Sequence, residues 1–211
     1  MKRRMAAAPN FIYLASQSPR RRQLLEQIGV RCELLLADAS EDAEALESER
    51  PGELPLAYVQ RVTRAKLQAA QQRLMQRGLP PAPMLCADTT VALGRRIHGK
   101  PRNAADAAAI LQQLSGRTHR VITAVAMGVM TTPGMSESLA VSTSHVTFAE
   151  LDAATIERYI ASGEPFGKAG AYAIQGAAGA WVRRIDGSYT GIMGLPLFET
   201  AELLRAVGVR C

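Results

Sequence analysis

Residues 11–22, FIYLASQSPRRR, run from an apolar segment through a serine- and proline-containing turn into three arginines. Residues 11–15 have the composition of a buried β-strand. Pro19 favours the first position of a helix and Ser18 its N-cap, so the pattern predicts a helix over residues 19–28. A strand that turns directly into a helix is typical of α/β domains.

Strand-like and helix-like segments alternate along the rest of the chain, which again indicates an α/β architecture. Residues 37–51 form an acidic loop, and residues 163–179 are rich in glycine. We expect one domain over residues 11–211, preceded by a loose basic extension at residues 1–10. The predicted strands are residues 32–36, 84–87, 90–93, 119–130, 135–148, 181–185 and 190–192, with a short one near Ile97, and the further helices are residues 56–77, 104–114, 153–161 and 197–207.

The composition excludes several classes of protein. Hydrophobic residues make up 47% and charged residues 21% of the 211 positions, which excludes a disordered or collagen-like chain. Three scattered cysteines exclude a CxxC zinc site and argue against a disulfide framework, so we expect a reducing cytoplasm. No apolar run approaches the length of a membrane span. The net charge of +6 permits nucleic acid or polyphosphate partners but indicates neither.

The arginines at 20–22 lie where a predicted helix begins. Positive side chains oppose the helix dipole there, at about 0.3–1 kcal/mol each when exposed. A bound polyanion would remove this conflict, and both the free N–H groups of a helix start and the arginine fork suit phosphate. The alternative is a solvated basic face.

Two further charged residues stand in apolar surroundings. Lys66 falls within the apolar stripe of its predicted helix, where a lysine is destabilising unless it meets an anion or extends past its neighbours to solvent. Asp88 follows the apolar run at 84–87, at a predicted strand end, where α/β sheets build sites or where an aspartate simply caps.

Lys100 follows in a predicted turn, and Glu41 in the acidic loop is a candidate second metal ligand. An acid that binds Mg²⁺ or accepts a proton from water, beside cations for phosphate, suits phosphoanhydride hydrolysis.

Other motifs, present or missing, narrow the range of possible enzyme classes and ligands. GxxxxGK[ST], HExxH and GxSxG are all missing from the sequence, so a P-loop enzyme is not predicted. In the glycine-rich stretch, Gln175 offers a donor and an acceptor that suit the edge of a base, although such a stretch is often an ordinary flexible loop.

Six segments, in this order and spacing, resemble the Maf family of nucleoside triphosphate pyrophosphatases over almost the whole chain. They are LASQSPRR at 14–21, ADT at 87–89, GKP at 99–101, LSG at 114–116 followed by His119, KAGAY at 168–172 and GLPL at 194–197. The resemblance implies a mixed, elongated β-sheet with flanking helices, forming two lobes around a cleft, as in inosine triphosphate pyrophosphatases. It also implies hydrolysis of a nucleoside triphosphate to the monophosphate and pyrophosphate, a divalent cation (Mg²⁺ or Mn²⁺), a homodimer and a link to arrest of septum formation.

The same resemblance implies residue roles. Asp88 matches the proton acceptor and metal contact, and Glu41 an acidic position near the metal. The phosphate-side positions are matched by Ser16, Arg20, Arg21, Lys66 and Lys100, and the positions linked to base choice by Arg20, Thr89 and Gln175. Residues 170–176 resemble the subgroup that acts on dTTP and UTP. Gln17 and Thr90 depart from the family pattern without removing a catalytic group.

Two alternatives stay open. One is the same chemistry on 7-methyl-GTP. The other is a non-catalytic nucleotide- or nucleic-acid-binding regulator of cell division, which the basic pI permits. A nucleic acid partner is not expected, because Asp88 and the acidic loop would repel its backbone.

Overall fold

Residues 11–38, 41, 45–132 and 134–211 are described by the computed structural model, and within them seven strands form one mixed β-sheet. The sheet has the order β2-β1-β3-β5-β6-β7, with β4 paired to β3. The strands are β1 (Ile12–Leu14), β2 (Cys32–Leu34), β3 (Met84–Leu93), β4 (Arg96–His98), β5 (Thr118–Thr131), β6 (Gly134–Phe148) and β7 (Val182–Asp186). The helices are α1 (Pro19–Gln27), α2 (Pro55–Gln76), α3 (Ala104–Leu114), α4 (Ala153–Ala161), α5 (Tyr189–Met193) and α6 (Leu197–Ala206), with short 3₁₀ helices at Ala45–Glu47, Ala169–Ala171 and Ala177–Trp181.

The two edges of β3 are paired differently along its length. On one edge β3 is antiparallel to β5 from Met84 to Ala92. On the other edge parallel pairing with β1 stops at Leu85, and antiparallel pairing with β4 starts at Val91. Between those two points no strand in the described part of the chain covers this edge. The gap opens a cleft in the middle of the sheet, beside the turn that leads from β1 into α1.

Alternating side chains of the sheet build separate cores on its two faces. Leu85 and Ala87 of β3 pack on the same side as buried leucines of α1 and α6. Met84 and Cys86 point the other way, against Leu67 and other buried residues of α2. A further core joins α3 and α4 to the far end of the sheet. The predicted α/β fold with a mixed sheet and flanking helices is confirmed.

All five predicted helices are confirmed, with ends that differ by at most one residue. Asn103 and Asp152 cap α3 and α4, and their side chains accept hydrogen bonds from Asp106 N and Thr155 N. Ser18 occupies the N-cap position of α1, but its side chain makes no cap hydrogen bond. The free cysteines form no disulfide among the described residues, and no helix there is long and apolar enough to cross a membrane. The extension at 1–10, residues 39, 40 and 42–44 of the acidic loop, and Pro133 lie outside the described residues.

Two strand predictions were wrong. Residues 84–87 and 90–93 are one continuous strand, β3, so Asp88 lies within a strand rather than at its end. The strand continues because Asp88 and Thr89 pair with Ala124 and Thr123 of β5. The Asp88 side chain meets Lys66 of α2 on one face of the sheet. Residues 190–192 belong to helix α5, where the side chain of Ser188 accepts a hydrogen bond from Gly191 N. This local cap outweighs the β-propensity of the segment.

A pair of glycine substitutions tests how the glycine-rich segment packs on β3. Gly170 and Gly163 both have positive φ, +71° and +75°, so alanine strains either backbone. A Cβ at Gly170 would also lie within 2.9 Å of Val91 side-chain atoms, whereas one at Gly163 would meet nothing within 4 Å. We expect Gly170→Ala to lower the free energy of unfolding by about 1–3 kcal/mol more than Gly163→Ala in denaturant melts. Equal losses would contradict the Val91 contact.

Candidate active site

A cavity of about 770 Å³ opens at the gap in β3. Its size suits a small-molecule ligand. The turn after β1, the acidic loop, α2, β3, the loop after β4, the glycine-rich segment and the end of α5 all contribute to its wall. The predicted site residues that line it are Ser16, Arg20, Arg21, Glu41, Lys66, Asp88, Thr89 and Lys100.

Strand alternation sends two neighbouring residues of β3 to different partners. Asp88 follows the side of Met84 and Cys86, which faces α2, and its Oδ1 accepts a hydrogen bond of 2.6 Å from Lys66 Nζ. Thr89 follows the side of α1, and its Oγ1 lies 3.5 Å from Nη2 of Arg21. Asp88 and its partner Lys66 therefore meet on one face of the sheet, and Arg21 contacts Thr89 on the other face.

Lys66 joins a chain of alternating charges. Besides Asp88, its ammonium donates to Oε1 of Glu47 at 2.8 Å, and Oε2 of Glu47 accepts from Lys100 Nζ at 2.6 Å. Burial alone would raise the pKa of Glu47, but the two ammonium groups outweigh it and hold that pKa below its ordinary value. Of the two alternatives for Lys66, an anionic partner or extension to solvent, the structure shows anionic partners.

Glu47 was missed by sequence reasoning. It is one of several acidic residues in residues 37–51, and composition gives no reason to prefer it over its neighbours. Its place depends on a contact with α2, where the hydroxyl of Tyr58 donates to the Glu47 carbonyl at 2.8 Å. A tyrosine in the first turn of the following helix is the only sequence signal we can identify.

Arg21 is fixed by several oxygen acceptors. Its guanidinium donates from Nε to Gly194 O at 2.8 Å and from Nη1 to Ser16 Oγ at 3.1 Å, in addition to the longer contact with Thr89. Burial lowers the pKa of Arg21. The rigid planar fork is thereby held at one edge of the cavity.

Arg20 lines the cavity as well, with its Nε 3.4 Å from Met193 O, and burial lowers its pKa. Arg22 instead forms a surface ion pair with Glu26 at 2.8 Å. The basic start of α1 is therefore divided, with two arginines in the cavity and one on a solvated face.

Lys168 is another cation of the cavity wall, and sequence reasoning gave it no role. Its ammonium donates to the carbonyl of Glu164 in the same glycine-rich segment. The pKa of Lys168 is lowered, first by burial and then by repulsion from Arg20. Both Lys168 and Arg20 line the cavity.

Glu41 lines the cavity but is engaged elsewhere. Both of its carboxylate oxygens accept from the buried guanidinium of Arg73, at 2.8 and 2.6 Å. This hydrogen bonding lowers the pKa of Glu41. Lys66 and Arg73 are seven residues apart on the same face of α2. Lys66 therefore pairs with Asp88, and Arg73 pairs with Glu41 further along the cavity. No group of three or more His, Cys, Asp or Glu side chains in the described ranges is arranged to hold a metal ion.

The remaining wall is largely apolar and is formed by Phe166, Tyr172, Ile174 and Ile192, among others. Gln175, predicted to contribute to base choice, follows the buried Ile174 but is itself exposed and does not line the cavity. The structure therefore brings together all the predicted site residues except Gln175.

Neighbouring arginines provide a matched test of the arginine clamp. Lysine at position 21 keeps the charge but cannot reach Gly194, Ser16 and Thr89 at once. We expect Arg21→Lys to lower the free energy of unfolding by about 1–3 kcal/mol. Arg22→Lys should change it by less than about 0.5 kcal/mol, because only a surface pair is altered. Equal effects of the two variants in denaturant melts would show that Arg21 is not clamped.

Comparison with known proteins places the chain in a family. Residues 11–207 match the family described as Maf-like protein. A protein of Cupriavidus metallidurans is 64% identical over 95% of this chain and 98% of its own length. Proteins of Albidiferax ferrireducens and Burkholderia pseudomallei are each 60% identical, over 95% and 96% of this chain and 98% and 97% of their own. All three relatives are named dTTP/UTP pyrophosphatase. The chain belongs to the Maf family.

Proposed function

We propose that this protein hydrolyses the nucleoside triphosphates dTTP and UTP to the nucleoside monophosphate and pyrophosphate. The observation that carries the proposal is the single cavity in which Asp88 and Lys66 are joined at 2.6 Å among further cations. The names of the relatives, which are about 60% identical over nearly their full length, support the choice of substrates.

The cations provide the means to bind a triphosphate. Six of them line the cavity, of which Arg73 is paired with Glu41: Arg20, Arg21, Lys66, Arg73, Lys100 and Lys168. The arginines offer planar forks for two-point contact with phosphate oxygens, and the lysines offer point charges on flexible stems. Fixed positive groups in a partly buried site stabilise the charge that develops on a leaving pyrophosphate.

Asp88 is the residue that we assign to water activation. Lys66 engages its Oδ1, and no hydrogen bond to the second oxygen is found within the described ranges, so we assign that oxygen to accept the proton. The water oxygen forms a bond to the α-phosphorus. The bond between the α-phosphorus and the oxygen that bridges to the β-phosphorus breaks, and pyrophosphate leaves. The proton lost by the attacking water goes to Asp88.

A divalent cation, Mg²⁺ or Mn²⁺, is part of the proposal. Asp88 and Glu41 both line the cavity, and carboxylate oxygens are suitable ligands, although Arg73 now occupies the Glu41 carboxylate. Magnesium in such sites is commonly bound by one or two carboxylates together with substrate phosphates and water, and Asp88 fits that donor set. When bound, the ion would neutralise charge on the phosphates.

The apolar wall is our candidate for the base and sugar end. Of the three residues expected to select the base, Arg20 and Thr89 line the cavity. Gln175 would contribute only if the base extends past Ile174. We also propose a cytoplasmic homodimer whose cellular role is linked to septum formation, on the basis of the family resemblance.

A nucleotide panel tests this function. In the presence of Mg²⁺, we expect pyrophosphate release to be faster from dTTP and UTP than from 7-methyl-GTP. Asp88→Asn should lower the rate with dTTP by about 10²–10⁴-fold, because the proton acceptor is lost. Asp186→Asn, on the exposed end of β7, serves as the matched control and should retain the rate.

The outcomes separate the alternatives. Faster release from 7-methyl-GTP would assign the protein to that substrate instead. Steeply salt-dependent binding to DNA or RNA with no release from any nucleotide would indicate a non-catalytic regulator. A folded Asp88→Asn variant with near-wild-type release would remove Asp88 from its role, so a thermal melt accompanies each assay.

A further inference from the structure

One acidic side chain occupies the place where the lysines of the cavity would meet phosphate. The two carboxylate oxygens of Glu47 are divided between two cations, Lys66 at 2.8 Å and Lys100 at 2.6 Å. These are two of the three lysines to which the proposed function gives phosphate binding. In the free protein both therefore already have an anionic partner.

The backbone around Glu47 is held independently of those lysines. The hydroxyl of Tyr58 donates to the Glu47 carbonyl at 2.8 Å, and Arg61 donates to Ser48 O at 2.9 Å. Arg61 is itself fixed by hydrogen bonds of 2.7 and 2.6 Å to the carboxylate of Glu53. Helix α2 thus keeps the short helix Ala45–Glu47 at the rim of the cavity and directs the Glu47 carboxylate inward.

Stability alone does not account for this arrangement. The side chain of Lys100 is 48% exposed, and ion pairs at such sites contribute little. Lys66 already has Asp88 as a partner, so Glu47 is not needed to neutralise it. What Glu47 does supply is a pair of oxygens that bridge two ammonium groups, as two oxygens of one phosphate group would.

We propose that Glu47 is an internal substitute for a phosphate group, which holds Lys66 and Lys100 in the free protein and which the phosphate chain of the substrate has to displace. The proposal rests on the proposed function only in that these lysines bind phosphate. Glu47 then acts as a residue that limits the affinity of the site for polyanions.

The Glu47 carboxylate beside Lys66 and Lys100 makes the affinity of the site sensitive to the charge of its ligand. Repulsion between the displaced carboxylate and a bound phosphate chain grows in proportion to the charge of that chain. A bound Mg²⁺ cancels two of those negative charges. Glu47 therefore weakens the binding of a metal-free chain more than that of its magnesium complex.

Calorimetric titration with inorganic tripolyphosphate tests this without relying on turnover. The full-length protein and Glu47→Gln are titrated in EDTA and again in excess Mg²⁺. We expect Glu47→Gln to bind metal-free tripolyphosphate at least about tenfold more tightly than the unaltered protein, with a smaller gain in Mg²⁺.

The chain offers two matched controls. Glu49→Gln makes the same change two residues away, where Glu49 is exposed and lies outside this cavity, and it should leave the affinity within about twofold. Glu47→Asp keeps the charge and should keep the affinity near that of the unaltered protein. Thermal melts verify folding, and Glu47→Ala removes the same charge if glutamine disturbs the short helix.

Unchanged or weaker binding of metal-free tripolyphosphate by the folded charge-removing variants would overturn the proposal. Weaker binding in Mg²⁺ alone would identify Glu47 as a metal ligand and would overturn it as well. An equal gain in affinity in Glu49→Gln would show that the gain follows from the net charge of the protein and not from the position of Glu47, and it would overturn the proposal. None of these results alters pyrophosphate release from dTTP by the unaltered protein, so a failure here is distinguishable from a failure of the proposed function.

Discussion

The ion pair between Lys66 and Asp88 is the constraint on which the site depends. A lysine within the apolar stripe of α2 and an aspartate within β3 would each be destabilising alone, because a buried charge without a partner loses its hydration. At 2.6 Å each compensates the other. The pair joins α2 to β3 in addition to their apolar packing. It lies beside the gap between β1 and β4, where the uncovered edge of β3 leaves room for a ligand.

Two kinds of cation surround this pair, and they are held in different ways. Arg21 is fixed by oxygen acceptors from the β1–α1 turn, from β3 and from the end of α5. Lys66 and Lys100 share the carboxylate of Glu47, which a competing anion can replace. The fixed guanidinium of Arg21 suits the orientation of a ligand as it binds. Lys66 and Lys100, whose anionic partner can be exchanged, suit the release of two separate anions after hydrolysis.

The sequence was informative where local rules decide the structure and less so where long-range packing does. The Ser-Pro-Arg turn, the caps of α3 and α4 and the anionic partner of Lys66 follow from short patterns and from the cost of burying charge. The continuity of β3 through Asp88 does not, because it depends on long-range pairing with β5. Glu47 could not be distinguished from other acids of its loop, since the contact with Tyr58 selects it. The exposed position of Gln175 likewise depends on how the glycine-rich segment packs.

A crystal structure with Mg²⁺ and a dTTP analogue that carries a non-hydrolysable α–β linkage tests the central claim most directly. We predict that the phosphate chain lies in the cavity in contact with Arg20, Arg21, Lys66 and Lys100, and that the Asp88 carboxylate is within hydrogen-bond distance of a water in line with the α-phosphorus. A phosphate chain bound away from these cations, or one whose α-phosphorus is out of reach of any water held by Asp88, would contradict it.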